Sequence, residues 1–241
     1  PAGPWTAYGA LAAGVALTIG ALSSLVLPGR LRASGLTPAI IGVSLGLFGL
    51  LSGTLGIQPE RISALLAALL LLACLSIPWL AMASTPVRVT GPSAAAQIDP
   101  RHIDKSVSMG VSMSVSIRLG TCLALVILTP ILCSTSQGIV LSALIGAALM
   151  LSTRSIRSRV EVLIGVLSGM AVLAWAAYAA ALQSATSLLL VLVTSLTGSL
   201  LVLATNVVTP KTRPWLSRTA DTISTLVIIA VPPFALYMWG M

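Results

Sequence analysis

The feature that most limits what this chain can fold into is a succession of apolar runs. They lie at about 5 to 27, 38 to 57, 61 to 82, 104 to 133, 138 to 153, 160 to 182, 185 to 207 and 217 to 240. A helix needs about 20 apolar residues, rising about 1.5 Å each, to cross the hydrocarbon core. The length of 241 residues therefore holds at most about ten crossings, and eight runs nearly fill it. Transmembrane barrels need alternating segments of about ten residues, whereas these runs are continuous. The fold class is all-α, a polytopic transmembrane helical bundle of about eight spans.

Composition agrees. Only 7% of residues are charged and the mean hydropathy is +1.06, against roughly 25% charged in a soluble domain. A water-soluble globule is excluded. The net charge of +8 comes from thirteen Lys and Arg against five Asp and Glu. So few charges make no nucleic-acid surface, and no nucleic-acid partner is expected. Orientation explains the basic excess, because Lys and Arg stay on the cytoplasmic side of short loops. Arg30 and Arg32; Arg88, Arg101 and Lys105; Arg154, Arg157 and Arg159; and Lys211, Arg213 and Arg218 follow the first, third, fifth and seventh spans. The alternate loops carry only Arg61.

Segments 28–37, 83–104, 154–159 and 208–216 are thus expected to be cytoplasmic, with Pro1 and Met241 outside a plasma (inner) membrane. The chain starts at Pro1 with no Met and no signal-peptide pattern. An even number of spans starting outside points to a missing upstream part with an odd number of spans, so 1–241 reads as a membrane domain from a longer protein. Thr37-Pro38 offers an N-cap and a first-turn proline, and Gln58-Pro59-Glu60 and Asp99-Pro100 mark further helix starts.

The second span holds the most regular pattern, Ala39, Gly42, Gly46, Gly49, Gly53 and Gly56, spaced 3, 4, 3, 4 and 3. Helices in lipid associate through small residues that let backbones approach. This seam serves packing inside one subunit or an interface between subunits. Gly165 and Gly169 make a shorter version in the sixth span. In the fourth, residues 106 to 117 alternate small-polar and apolar residues, as a strand would. An open strand leaves its backbone unpaired in lipid, so helix is expected. Ser106, Gly110 and Ser114 then form one small ridge, and Ser108, Ser112, Ser116 and Gly120 an opposite one. Starting at Pro100, this helix outruns the core of about 30 Å, giving a cytoplasmic loop and helix extension over 83–105 that bears Arg101, Asp104 and Lys105.

Arg118 is the one basic residue well inside an apolar run. Three readings stand: a snorkelling or bundle-facing structural residue, a lipid-headgroup or subunit contact, or a transport residue. Glu60, Asp99, Asp104, Glu161 and Asp221 all lie in loops or first helical turns, where carboxylates suit the helix dipole. None reaches the midplane, which weighs against an ion-coupled carrier. Pro232-Pro233 is the strong mid-helix break. The single histidine, His102, forbids an HExxH zinc site, and Cys74, Cys122 and Cys133 lack CxxC spacing. No catalytic residue, cofactor or metal is expected.

Three stretches together resemble EccD, the polytopic membrane subunit of actinobacterial type VII (ESX) secretion systems. The first runs from Leu80-Ala81-Met82 to Arg88-Val89. The second is LMLSTRSIRSRVEVLIGVLSG at 149 to 169, and the third PWLSRTADTISTLVIIAVPPFALYMWGM at 214 to 241. The eight spans are similar in order and spacing to the family's helices four to eleven. The resemblance implies a non-catalytic scaffold with an N-terminal cytoplasmic ubiquitin-like domain and eleven helices. Two copies pair around a lipid-filled space and associate with EccB, EccC and EccE, EccC being the ATPase. The ubiquitin-like domain and the first three helices are absent from this sequence. On this reading Arg101, Asp104, Lys105, Arg154, Arg157, Arg159, Arg213, Arg218 and Asp221 are candidates for contact with cytoplasmic partner segments or anionic membrane lipids, or serve only to set orientation. The competing reading is a small-solute permease or carrier.

Overall fold

A computed structural model describes residues 4–23, 34–84, 100–153, 158–183 and 213–239. Among the described residues seven α-helices appear: α1 (Pro4–Ser23), α2 (Leu36–Thr54), α3 (Pro59–Ser84), α4 (Pro100–Leu132), α5 (Ser136–Ser152), α6 (Arg159–Gln183) and α7 (Arg213–Tyr237). The chain is an all-α, multi-pass membrane bundle. Four of these helices hold stretches long and apolar enough to cross a bilayer: Leu36–Thr54, Pro59–Ser76, Gly110–Leu132 and Arg159–Gln183. The apolar stretches of α1, α5 and α7 are shorter. The run at 185 to 207 lies outside the described residues.

The alternating stretch at 106 to 117 is helical, inside a continuous α4 of 33 residues. At about 1.5 Å per residue α4 extends about 50 Å, and its first ten residues precede the apolar span that starts at Gly110. Pro130 lies inside α4, as Pro78 lies inside α3 and the Pro232-Pro233 pair inside α7. Near the end of α4 it does not stop the helix, which runs on to Leu132.

The centre of the bundle is α5. Twelve of its seventeen residues are buried, as expected of a helix that is apolar all round. Leu141, Ile145, Ala148 and Leu149 of α5 pack with Leu71 of α3, Leu125 of α4 and Val231 of α7 in one core. Its opposite side, with Ile139, Ala143 and Met150, meets Leu173, Ala176 and Ala180 of α6. The α1–α2 pair docks from outside, through contacts of α2 with α4 and α3. There Phe48 packs with Ile62, Leu66 and Leu128. The outward faces carry exposed Leu47 and Leu50 on α2, Leu163 and Leu167 on α6, and Leu226 and Ile229 on α7. Such a mantle suits hydrocarbon and not water.

The ends are closed by polar groups. Thr135 caps α5 by accepting from the Gly138 amide at 3.1 Å. Any side chain at Gly138 would overlap the Leu132 carbonyl, so this turn needs glycine. At the same end of the bundle Gln183 of α6 donates to the carbonyls of Cys133 and Ser134, at 3.1 and 3.3 Å. Ser134 donates to Glu60 Oε1 at 3.3 Å. Arg61 Nη1 donates to the Trp239 carbonyl at 3.3 Å, and Trp239 Nε1 donates back to the Arg61 carbonyl at 2.9 Å. The start of α3 thus meets the ends of α4, α6 and α7. Helices α6 and α7 run in the same direction, which puts Gln183 and Arg213 at opposite ends of the bundle. Gly138→Ala is expected to destabilise the protein by about 1–3 kcal/mol, the range for overpacking, read as a lowered melting temperature in detergent.

Candidate functional site: glycine seams and a buried arginine

Two helix pairs approach backbone to backbone. A Cβ at Gly42 would stand 2.8 Å from the Thr18 amide nitrogen and 2.9 Å from the Gly14 carbonyl of α1. One at Gly14 would run into Gly46 and stand 2.8 Å from the Gly42 carbonyl. In the second pair, a Cβ at Gly169 would lie 2.6 Å from Met150 Cγ and 2.9 Å from the Gly146 carbonyl of α5. One at Gly146 would lie 2.8 Å from Leu173 Cγ. Real Cβ atoms do not pack that closely, so glycine sets the interhelical distance.

The regular spacing in α2 resolves into several placements. Gly42 and Gly46 face α1, and Gly49 is buried. Gly53 is half-buried near the end of the helix. Gly56 lies past Thr54 in the α2–α3 connection at φ +61°, the left-handed region that glycine favours. Ala39, half-buried, lines an apolar groove of about 340 Å³ between α2 and α3 with Val43, Leu47, Leu66 and Leu69. Gly14 and Gly146 are seam residues that the sequence reading missed. The glycines of their helices do not repeat at short intervals, but each stands in a mixed i+4 series of small residues, Ala10, Gly14 and Thr18 in α1 and Gly138, Ser142 and Gly146 in α5, that could have marked them.

Thr37 does not cap α2, which starts one residue earlier with Gly35 at the cap and no side-chain cap bond. Its hydroxyl instead donates to the Ser116 carbonyl of α4 at 2.9 Å. A Cβ at Gly120 would stand 3.0 Å from the Thr37 carbonyl oxygen and 3.2 Å from Ile40 Cβ. The ridge carrying Ser116 and Gly120 is therefore the face of α4 against α2.

The ridge of Ser106, Gly110 and Ser114 leads at the next i+4 step to Arg118, which faces α5 and α6. Arg118 is 2% exposed. Its Nη2 donates to Ser152 Oγ at 3.1 Å, and that hydroxyl donates to the Leu149 carbonyl at 2.8 Å. Gly165 leaves room for the guanidinium: a Cβ there would stand 3.2 Å from Nη2 and 2.5 Å from Thr153 Cγ2. An Arg at a helix centre costs about 2.5–3.5 kcal/mol on insertion scales. Here the charge sits at the end of α5, where the helix dipole favours a cation. Arg118 is a bundle-facing residue and does not project into lipid.

Among the candidates for cytoplasmic contact, Arg159 opens α6 and is exposed. Arg101, Asp104 and Lys105 lie on the α4 stretch before Gly110, and Arg213, Arg218 and Asp221 on the first nine residues of α7, before its apolar stretch at Thr222. The starts of α4, α6 and α7 share one end of the bundle. Arg154 and Arg157 lie outside the described residues, as do Arg30, Arg32, Arg88 and Lys211. Cys74, Cys122 and Cys133 are buried free thiols, and Cys133 Sγ donates to Ser142 Oγ at 3.2 Å. No group of three His, Cys, Asp or Glu that could hold a metal ion occurs among the described residues.

An apolar mantle, glycine-closed helix pairs and charges gathered at the helix starts define a polytopic membrane domain whose interior is built for helix packing. The family model for the EccD-like transmembrane domain matches residues 1–241, and the chain belongs to the EccD family. Its fold is similar to that of protomer 1 of the ESX-3 core complex, with a TM-score of 0.67 at 14% identity. The match covers 94% of this chain and 55% of that one, so the chain spans about half the length of that protomer. A search of curated proteins gives no match. Gly42→Leu and Gly169→Leu are each expected to lower stability by about 1–3 kcal/mol or more. Gly9→Leu, where a Cβ meets nothing within 4 Å, is expected to leave the melting temperature unchanged.

Proposed function

We propose that this chain is the membrane part of a non-catalytic scaffold subunit in a type VII (ESX) secretion complex. It pairs with a second copy and associates with EccB, EccC and EccE. The observation that carries this reading is the family match along the whole chain, and the likeness in fold to a protomer of the ESX-3 core complex supports it. The interior also supports it. Among the described residues buried hydroxyls such as Ser44, Thr121 and Thr129 are spent on carbonyls of their own helices, and Arg118, the residue that a permease would use, is held by Ser152 against Gly165.

In this reading the end that gathers the starts of α4, α6 and α7 is cytoplasmic. Arg101, Asp104, Lys105, Arg154, Arg157, Arg159, Arg213, Arg218 and Asp221 there meet partner segments or anionic lipid. Full-length protein extracted in mild detergent is expected to co-purify with the ATPase subunit and to run as an oligomer; a monomer free of partners overturns the proposal. A membrane-impermeant thiol reagent is expected to label cysteines placed in 83–104 and 209–216 only from the cytoplasmic side, and Ser134→Cys only from outside. Labelling of the first two segments from opposite sides overturns the orientation.

A further inference from the structure

Arg118 and Glu161 are the two charged side chains buried among the described residues, at 2% and 8% exposure. They come from different helices and make no direct ion pair within 4.0 Å, but Glu161 stands one helical turn from the glycine on which the guanidinium rests. Glu161 lies in the first turn of α6, and Gly165, four residues on, shares its face. The guanidinium rests on Gly165, whose Cβ would stand 3.2 Å from Nη2 and 3.7 Å from Nε. Arg118 Nε has no hydrogen-bond partner. Ser152, the neutral acceptor of Nη2, supplies no counter-charge. A buried ion without a compensating charge is strongly disfavoured.

We propose that Glu161 is the counter-charge of Arg118, and that the two are a positioning pair fixing the end of α5 and the start of α6 against α4. Arg118 grips the last residue of α5, and Glu161 stands in the first turn of α6. The pair thus ties the end of α5 to the start of α6. This inference rests on the packing of the chain itself and stands whether or not the assembly reading does.

The test is a double-variant cycle on full-length protein in lipid nanodiscs, comparing the starting protein with Arg118→Gln, Glu161→Gln and both together. Glu161→Gln is expected to lower the melting temperature by about 4 °C in the starting protein. In the Arg118→Gln background, where no cation remains to balance, it is expected to leave the melting temperature unchanged or raise it. Equal falls in both backgrounds overturn the pairing. Should Arg118→Gln fail to fold, Arg118→Lys replaces it as the background. The charge is kept there, so Glu161→Gln is expected to lower the melting temperature as before, and no fall overturns the pairing.

Positioning is read separately, by alkylation of a cysteine at Arg159, exposed at the start of α6, and of one at Thr54, exposed at the end of α2. Glu161→Gln is expected to speed labelling at position 159 several-fold and leave position 54 unchanged. Equal acceleration at both sites, or none at either, overturns the positioning role.

Discussion

In hydrocarbon an apolar helix gains little by leaving lipid for another apolar helix, because both neighbours are equally dry. What holds such helices together is the number of atoms brought to contact distance, each pair contributing only about 0.1–0.2 kcal/mol. The glycine pairs provide this. Where Gly42 meets Gly14, and Gly169 meets Gly146, backbone touches backbone and flanking side chains interlock around the crossing. Directional bonds then finish the ends, with Gln183 closing on the end of α4 and Trp239 and Arg61 exchanging hydrogen bonds.

This division of labour explains which parts of the molecule were legible in its sequence. The existence of the spans follows from run length alone, and the long α4 from Pro100 and the cost of an open strand in lipid. Half of each seam was legible as well, because Gly42, Gly46, Gly165 and Gly169 repeat at intervals of four. Their partners were not. Gly14 and Gly146 stand in mixed i+4 series with Ala10 and Thr18 and with Gly138 and Ser142, which do not stand out as glycine repeats do, and only the fold brings them opposite a seam. Gly56 extends the numerical pattern of α2, yet the helix ends at Thr54 and the residue makes a turn instead. Thr37-Pro38 had the local signature of a cap, and a tertiary acceptor, the Ser116 carbonyl, took the hydroxyl. At Thr37 a local signal gave way to a contact from a distant part of the chain, and at Gly56 to the end of the helix.

Arg118 shows the same limit from another side. Helical spacing put it in line with Ser106, Gly110 and Ser114, but a ridge does not say which neighbour it faces. The structure turns Arg118 toward α5 and α6, while Ser116 and Gly120 face α2. Helix α4, together with α3, joins the outlying α1–α2 pair to the inner helices, with a different device on each side of α4. Toward α2 it uses small residues and a backbone carbonyl that accepts the Thr37 hydroxyl, and toward α5 and α6 a charge.

The two devices constrain different degrees of freedom. Small residues fix how near two helices come, but a smooth face of Gly and Ser allows rotation and sliding with little change in contact. A guanidinium bound to one hydroxyl does not. Turning α4 by one residue rotates Arg118 by about 100°, away from Ser152. The insertion cost of about 2.5–3.5 kcal/mol would then stand uncompensated. The buried charge thus adds a register constraint to the one that the Thr37–Ser116 bond supplies on the other side, as buried polar groups do in coiled coils. Because α4 continues unbroken from Pro100 to Leu132, that register extends to the stretch carrying Arg101, Asp104 and Lys105.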